Sequence, residues 1–276
     1  MRKARVLFVS QEITPYLDET LIGKITRRLP QAIQERGKEI RTFMPKYGNI
    51  NERRHQLHEV IRLSGMNIVI NNADHPLIIK VASIPTARMQ VYFIDNDDYF
   101  QRKSVLTDKA TGKYFDDNDE RSIFFNRGVI ETVKKLGWAP DVIHCHGWFT
   151  GLMPVYIKKA FAEDPLFSDT KIIFTVYGEE YTKALNKKIV EKALIDGVSK
   201  KDLKHIEDAS YINLMKLAID HSDGIAFGSE VTNAEIEKYA RKSGKPLLEY
   251  KGEAEYTDAY NEFYDLVLED TEVLAD

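Results

Sequence analysis

The sequence predicts an α/β domain built on a doubly wound, mostly parallel sheet, and three observations carry this. Apolar runs of strand length recur at residues 4–10 (ARVLFVS), 142–145 (VIHC) and 171–176 (KIIFTV), each too short for a buried helix. Between them lie longer segments with apolar residues at helical spacing. Strand and helix therefore alternate, the order that winds into parallel β-α-β units through right-handed crossovers.

Taken in order, residues 4–10 form a first buried strand, followed by the polar, proline-containing loop QEITPYLDET. A helix is expected over residues 21–36, with Ile22, Ile25, Leu29 and Ile33 on one stripe and Gly37 as its stop. The next strand is EIRTFM, closed by Pro45 and a Lys-Tyr-Gly turn. Three strands follow, MNIVI, LIIKVAS and RMQVYFI, as an antiparallel excursion or a sheet extension. Residues 95–119 read as a long irregular segment, and loops of that length are usually functional or disordered.

A helix over residues 119–136 buries Ile123, Phe124, Val129, Ile130 and Val133. The VIHC strand comes next, then helical spacing through Leu152, Val155, Tyr156 and Phe161, then KIIFTV with an exit loop at Gly178-Glu179-Glu180-Tyr181. Residues 185–205 are charged and read as a partly exposed helical insertion. A helix over 209–221, a short strand DGIAFG and a helix over 231–241 complete the series. From residue 249 on, one lysine faces ten acidic residues, yet Tyr256, Tyr260, Phe263, Tyr264 and Val267 fall on one helical stripe. The expected division is a domain over residues 1–248 and an acidic amphipathic helix over 249–276 that docks back on it.

Composition narrows the function. The 276 residues are 43% hydrophobic and carry a formal net charge of -4, with 39 basic and 43 acidic residues dispersed along the chain. That pattern offers no nucleic-acid surface. The single cysteine, Cys145, lies within an apolar strand and reads as a buried, inert thiol. The apolar run after the first residues is too short for a signal peptide, and no stretch approaches the ~20 apolar residues of a membrane span. A cytoplasmic protein is expected.

Several familiar sites fail on their own residues. No glycine follows the first strand until Gly23, which argues against a dinucleotide fingerprint, and no P-loop or Gly-x-Ser-x-Gly elbow occurs. His144 and His146 share a strand face, but no third ligand stands beside them in sequence, so no metal and no cofactor are expected. In open α/β sheets ligands bind at the carboxyl ends of the strands. His146, Gly147 and Trp148 lie at such an end, and an imidazole, bare backbone and a large ring suit a polyol.

The order of further landmarks resembles one family through nearly the whole chain. These are Ser10, Glu12, Pro15 and Tyr16; Leu29-Pro30; Arg36-Gly37-Lys38-Glu39-Ile40; and Met44-Pro45-Lys46-Tyr47-Gly48. Later ones are Tyr92-Phe93-Ile94-Asp95-Asn96 with Phe100 and Arg102, then Asp117-Asn118 with Arg121, then Pro140-Asp141-Val142-Ile143-His144 with His146, Trp148 and Thr150-Gly151-Leu152. Leu214-Met215-Lys216, Ile219, Asp223, Ser229 and Glu235-Ile236 continue the pattern. In this order they resemble the bacterial glycogen synthases and plant starch synthases, retaining glucosyltransferases of the two-domain GT-B type, and specifically their amino-terminal, acceptor-side half with its Rossmann-like fold.

The resemblance implies glucosyl transfer from ADP-glucose to an α-1,4-glucan, with His146 contacting the glucosyl unit and Asp117 beside the acceptor. It further implies substrate contacts from Asn118, Trp148, Tyr177, Phe100 and Arg102. The polar loops depart from the family. Where the synthases carry Lys-Thr-Gly-Gly-Leu to neutralise and approach the diphosphate, this chain has Asp18, Glu19, Thr20, Leu21 and Ile22, with Lys24 in place of an aspartate. Gly147 replaces an acid, and Val176-Tyr177-Gly178 replaces Ile-His-Asn. The carboxy-terminal nucleotide-binding domain is also expected to be absent. The chain is therefore expected to be inactive alone, or to need a separate donor-binding partner; a non-catalytic glucan-binding or regulatory subunit is the alternative.

Overall fold

A computed structural model describes residues 2–269. The chain opens with β1 (Arg5–Ser10), α1 (Leu21–Glu35) and β2 (Glu39–Pro45), then α2 (Glu52–His55) and β3 (His58–Glu59). A meander follows of β4 (Met66–Ile70), β5 (Ala73–Ile84) and β6 (Met89–Asp95), then α3 (Asp97–Phe100) and the long α4 (Asn118–Leu136). The second half holds β7 (Val142–His146), α5 (Met153–Val155), β8 (Lys171–Val176), α6 (Ile189–Ala193), α7 (Tyr211–Asp220), β9 (Gly224–Phe227), α8 (Ala234–Lys242), β10 (Leu247–Leu248) and α9 (Tyr256–Glu269).

The strands form one sheet in the order β10-β9-β8-β7-β1-β2-β6-β5-β3, with β4 paired to β5. From β10 to β6 every pairing is parallel, and β5 joins β6 antiparallel. The excursion is thus a sheet extension. β4 and β5 are joined at Asn71 and Asn72, both with positive φ (52° and 61°), the geometry of a tight hairpin turn. His75 and Pro76, which read as loop, lie within β5.

Strand order reverses between β1 and β7, so the carboxyl ends of these two neighbours mark the switch point where such sheets bind ligands. Alternation along β1 sends Leu7 and Val9 to one core and Val6 and Phe8 to the other. The first core packs α4, α5, α7 and α8. The second packs α1 and α9.

α9 closes a face of the sheet over β7, β8 and β9 with Tyr256, Tyr260, Phe263, Tyr264 and Val267, all buried. Gly224 permits this approach, since a Cβ there would stand 3.0 Å from Phe263 Cζ and 3.1 Å from Val267 Cγ2. Glu253 bonds Arg28 at 3.1 Å, and Asp265 bonds Lys38 at 2.8 Å. The exposed Arg28–Glu253 pair adds little, and the rings supply most of the energy. Residues 270–276 of the expected helix lie outside the described residues.

Two segments differ from expectation. Instead of one helix after β7, residues 148–160 form a 3-10 turn (Trp148–Thr150), α5 and a π-helical turn (Tyr156–Ala160). The charged 185–205 segment is partly exposed but only briefly helical, and it anchors itself by burying Ile189, Ala193 and Leu203. Lys192 within it bonds Asp119 at 2.8 Å and Glu120 at 2.7 Å, deep in the domain.

Candidate functional site

At the carboxyl end of β1, Ser10 turns the chain by donating its hydroxyl to the Glu12 carbonyl at 2.7 Å and accepting the Glu12 N–H at 3.2 Å. Thr20 caps α1 by accepting from Gly23 N at 2.9 Å, and its own hydroxyl donates to Glu12 Oε2 at 2.5 Å. Burial raises the Glu12 carboxyl above its usual range. Beyond this cap Asp18 and Glu19 are exposed, Leu21 is 42% exposed, and Lys24 is occupied by Glu19 at 3.0 Å. Glu179, after β8, is likewise raised by burial and by the Glu12 charge. This quadrant of the edge is acidic.

Gly147 follows β7 with φ 84° and ψ 159°, a backbone region that glycine alone occupies readily. A Cβ there would stand 2.5 Å from Gln11 Cδ, and Gln11 Oε1 accepts from Phe149 N at 3.3 Å. Gln11 therefore fills the volume that an acidic side chain at position 147 would need.

His146 is fully buried. Its Nδ1 lies 2.8 Å from the Tyr177 hydroxyl, and its Nε2 finds no partner among the described residues. Beside it His144 is bonded to Tyr264 Oη and to Thr175 Oγ1, both at 2.6 Å, with the two imidazoles 3.8 Å apart. Burial depresses both histidines, His146 to about 3, so both are neutral and keep acceptor capacity. The His144 ring lies under Tyr260 and Tyr264 of α9, and the His146 ring is enclosed beside it by Phe8 and Tyr177.

The second group of expected residues gathers at the start of α4. Arg102 forks onto Asp117 at 2.9 and 2.6 Å and stacks 4.2 Å from the Phe115 ring centroid. Arg121 is fully buried, and donates to the Tyr99 carbonyl (2.8 Å), the Val105 carbonyl (2.8 Å) and Asn118 Oδ1 (2.6 Å). Asn118 in turn donates to the Leu106 carbonyl at 2.9 Å. Arg121 thus orders the long segment ahead of α4. Burial lowers its pKa to about 10, so it stays charged. Its Nη2 and the Tyr47 hydroxyl are both buried and without a partner among the described residues.

Phe100 is 0% exposed and packs edge-on against Tyr47, so it is a wall of this group. Trp148, 5% exposed, meets Tyr181 edge-on at 4.8 Å. The structure thus brings His146, Gly147 and Tyr177 together at the switch point, and Phe100, Arg102, Asp117 and Asn118 together beside it. Sequence reading missed Gln11, Tyr47 and the Tyr264–His144 contact as parts of the site. The tyrosine stripe was visible, but its partner 120 residues away was not. Among the described residues no group of three or more His, Cys, Asp or Glu side chains is placed to hold a metal.

A parallel seven-stranded core with its crevice at the switch of strand order, extended by an antiparallel meander, defines a Rossmann-like, doubly wound α/β domain. The family described as "Starch synthase catalytic domain" matches residues 5–249, and the chain belongs to it. The glycogen synthase of Chlorobium limicola is 36% identical over 235 residues, covering 85% of this chain and 47% of that protein. The glycogen synthase of Chlorobaculum tepidum is 34% identical over 241 residues, 87% of this chain and 47% of that protein. This chain therefore spans about half the length of the curated relatives it matches. The catalytic domain of Starch Synthase IV from Arabidopsis thaliana, solved with ADP and acarbose, superposes with a TM-score of 0.73 at 19% identity, covering 90% of this chain and 51% of that one. Among the described residues no helix is long and apolar enough to cross a membrane.

Proposed function

We propose that this chain is the acceptor-side part of an α-glucan glucosyltransferase. It presents an α-1,4-glucan end at the switch-point edge near Asp117 and Asn118, and transfer from ADP-glucose needs a donor-binding domain in addition to it. The observation that carries this is the contrast along one edge. The Asp117–Arg102–Asn118–Arg121 group is fully assembled, whereas the α1 loop presents Asp18 and Glu19 above a buried Glu12. Carboxylates there repel a diphosphate. In this reading His146 takes a sugar hydroxyl at its free Nε2, and Trp148 and Tyr177 shape the wall.

A non-catalytic glucan-binding role is favoured by one specific finding, the complete burial of His146. The two readings separate when purified protein is incubated with ADP-glucose and glycogen, alone and with host lysate. Co-sedimentation with glycogen and ADP release only in lysate support the first. Co-sedimentation with no ADP release under either condition supports the second. ADP release by the chain alone, or no co-sedimentation, overturns both.

A further inference from the structure

A cavity of about 640 Å3 opens between the segment leading into α4 and the loop leading into α6, lined among others by Tyr114, Phe115, Asp116, Lys183, Lys187 and Lys188. Its charge is opposite to that of the α1 loop. Three lysines face one carboxylate, in a chain whose net charge is -4. Lys183 spends itself on Asp116 at 2.8 Å, but both side chains are exposed, so the pair is cheaply opened. Lys187 and Lys188 make no ion pair among the described residues.

The walls are ordered. Phe115 is half-buried, with its plane held by the Arg102 and Arg121 guanidiniums at 4.2 and 5.3 Å. Tyr114 is bridged to Thr107 by the backbone. On the opposite side Leu185 N donates to the Ala209 carbonyl at 2.9 Å, and Asn186 Oδ1 accepts from Lys188 N at 2.9 Å. A volume in this range suits a small molecule rather than a polymer strand or a protein segment.

We propose that this cavity binds the phosphate ester of a sugar, with the sugar ring against Tyr114 and Phe115 and the phosphate against Lys187 and Lys188. Aromatic faces accept the C–H side of a pyranose, and unpaired ammonium groups recognise phosphate as point charges. A free sugar phosphate and a nucleotide sugar share this chemistry. The site does not depend on glucan transfer, so failure of the glucan reading leaves it standing, and the converse also holds.

The test is calorimetric titration of the full chain with glucose 1-phosphate, ADP-glucose, inorganic phosphate and maltotetraose, repeated on Lys187→Ala/Lys188→Ala and on Tyr114→Ala. Both sugar phosphates should bind, losing about tenfold or more in affinity in the double lysine variant and weakening as salt rises. A preference for ADP-glucose marks a nucleotide sugar as the natural source, and equal binding marks the sugar phosphate. Tyr114→Ala should weaken the sugar phosphates and leave inorganic phosphate unchanged. Absence of binding, binding untouched by the lysine substitutions, or maltotetraose binding as tightly as glucose 1-phosphate would overturn the proposal. Lys187 and Lys188 are exposed and Tyr114 is half-buried, and unchanged circular dichroism confirms that the variants fold.

Discussion

Two regions flanking β7 behave in opposite ways. The face covered by α9 is dry and mutually satisfied: Tyr260, Phe263, Tyr264 and Val267 close over His144, whose two nitrogens are both bonded. The carboxyl edge, a few residues further along the same strands, is charged, rich in loops and only partly satisfied. It holds the Arg121 Nη2 and the Tyr47 hydroxyl, both without a partner among the described residues. The difference teaches where each residue class acts. Substitutions on the sealed face should change stability, and substitutions on the edge should change binding.

The largest expected effect comes from the sealed face. Phe263→Ala should cost about 3–5 kcal/mol, because it empties a packed aromatic site against Gly224. Leu266→Ala on the exposed side of the same helix, at 49% exposure, should stay within ~0.5 kcal/mol. Urea melts of both variants test this, and equal costs would break the comparison.

Acid should act next most strongly, and through the same face. Both histidines are depressed in the folded state by burial, so below pH ~6.5 the unfolded chain takes up protons that the native chain refuses. Stability is therefore unaffected by these groups at high pH and falls as pH drops below that value, down to the folded pKa. From pH 7 to 5.5 the pair should cost on the order of 2–3 kcal/mol, read as a shift in the urea midpoint. His144→Gln/His146→Gln should flatten that slope whatever it does to absolute stability.

At the border between the regions, Gly147→Asp should cost about 1–3 kcal/mol, from its backbone conformation and from the collision with Gln11. Pairing it with Gln11→Gly should recover only the collision part. The smallest stability effect belongs to the outermost edge. Asp18→Lys/Glu19→Thr should change folding by less than ~0.5 kcal/mol, yet strengthen ADP binding measured by titration. A large loss of stability would show that this loop is structural.

Much of the architecture was legible because period and length agree in it. β1, β7, β8 and the stripes of α1, α4 and α9 are long or strongly apolar, and their spacing leaves one interpretation. The missed pieces are short or mixed. α3 is four residues fixed by the Asn96 side chain, which accepts from Asp98 N and Tyr99 N, and β10 is two residues long. In the 185–207 segment lysines mask the buried Ile189, Leu203 and Ile206, and Lys192 itself is buried because it is paired.

For the site, the residues were legible and their surroundings were not. Strand polarity places His146 at the switch point. Nothing local to it announces that a helix over a hundred residues later covers the neighbouring His144 ring, nor that Gln11 occupies the space beside Gly147. Arg121 was visible as a landmark, but its burial depends on carbonyls of Tyr99 and Val105 brought round by the loop.

The division between a sealed face and an open edge is tested most directly by NMR titration of the His144 and His146 ring protons. The two rings should stay neutral from pH 8 down to the onset of acid unfolding, with His146 titrating no higher than about 3 in the native state. An ordinary value near ~6.5 for His146 would show the ring open to solvent, and the boundary drawn between the two regions would be wrong.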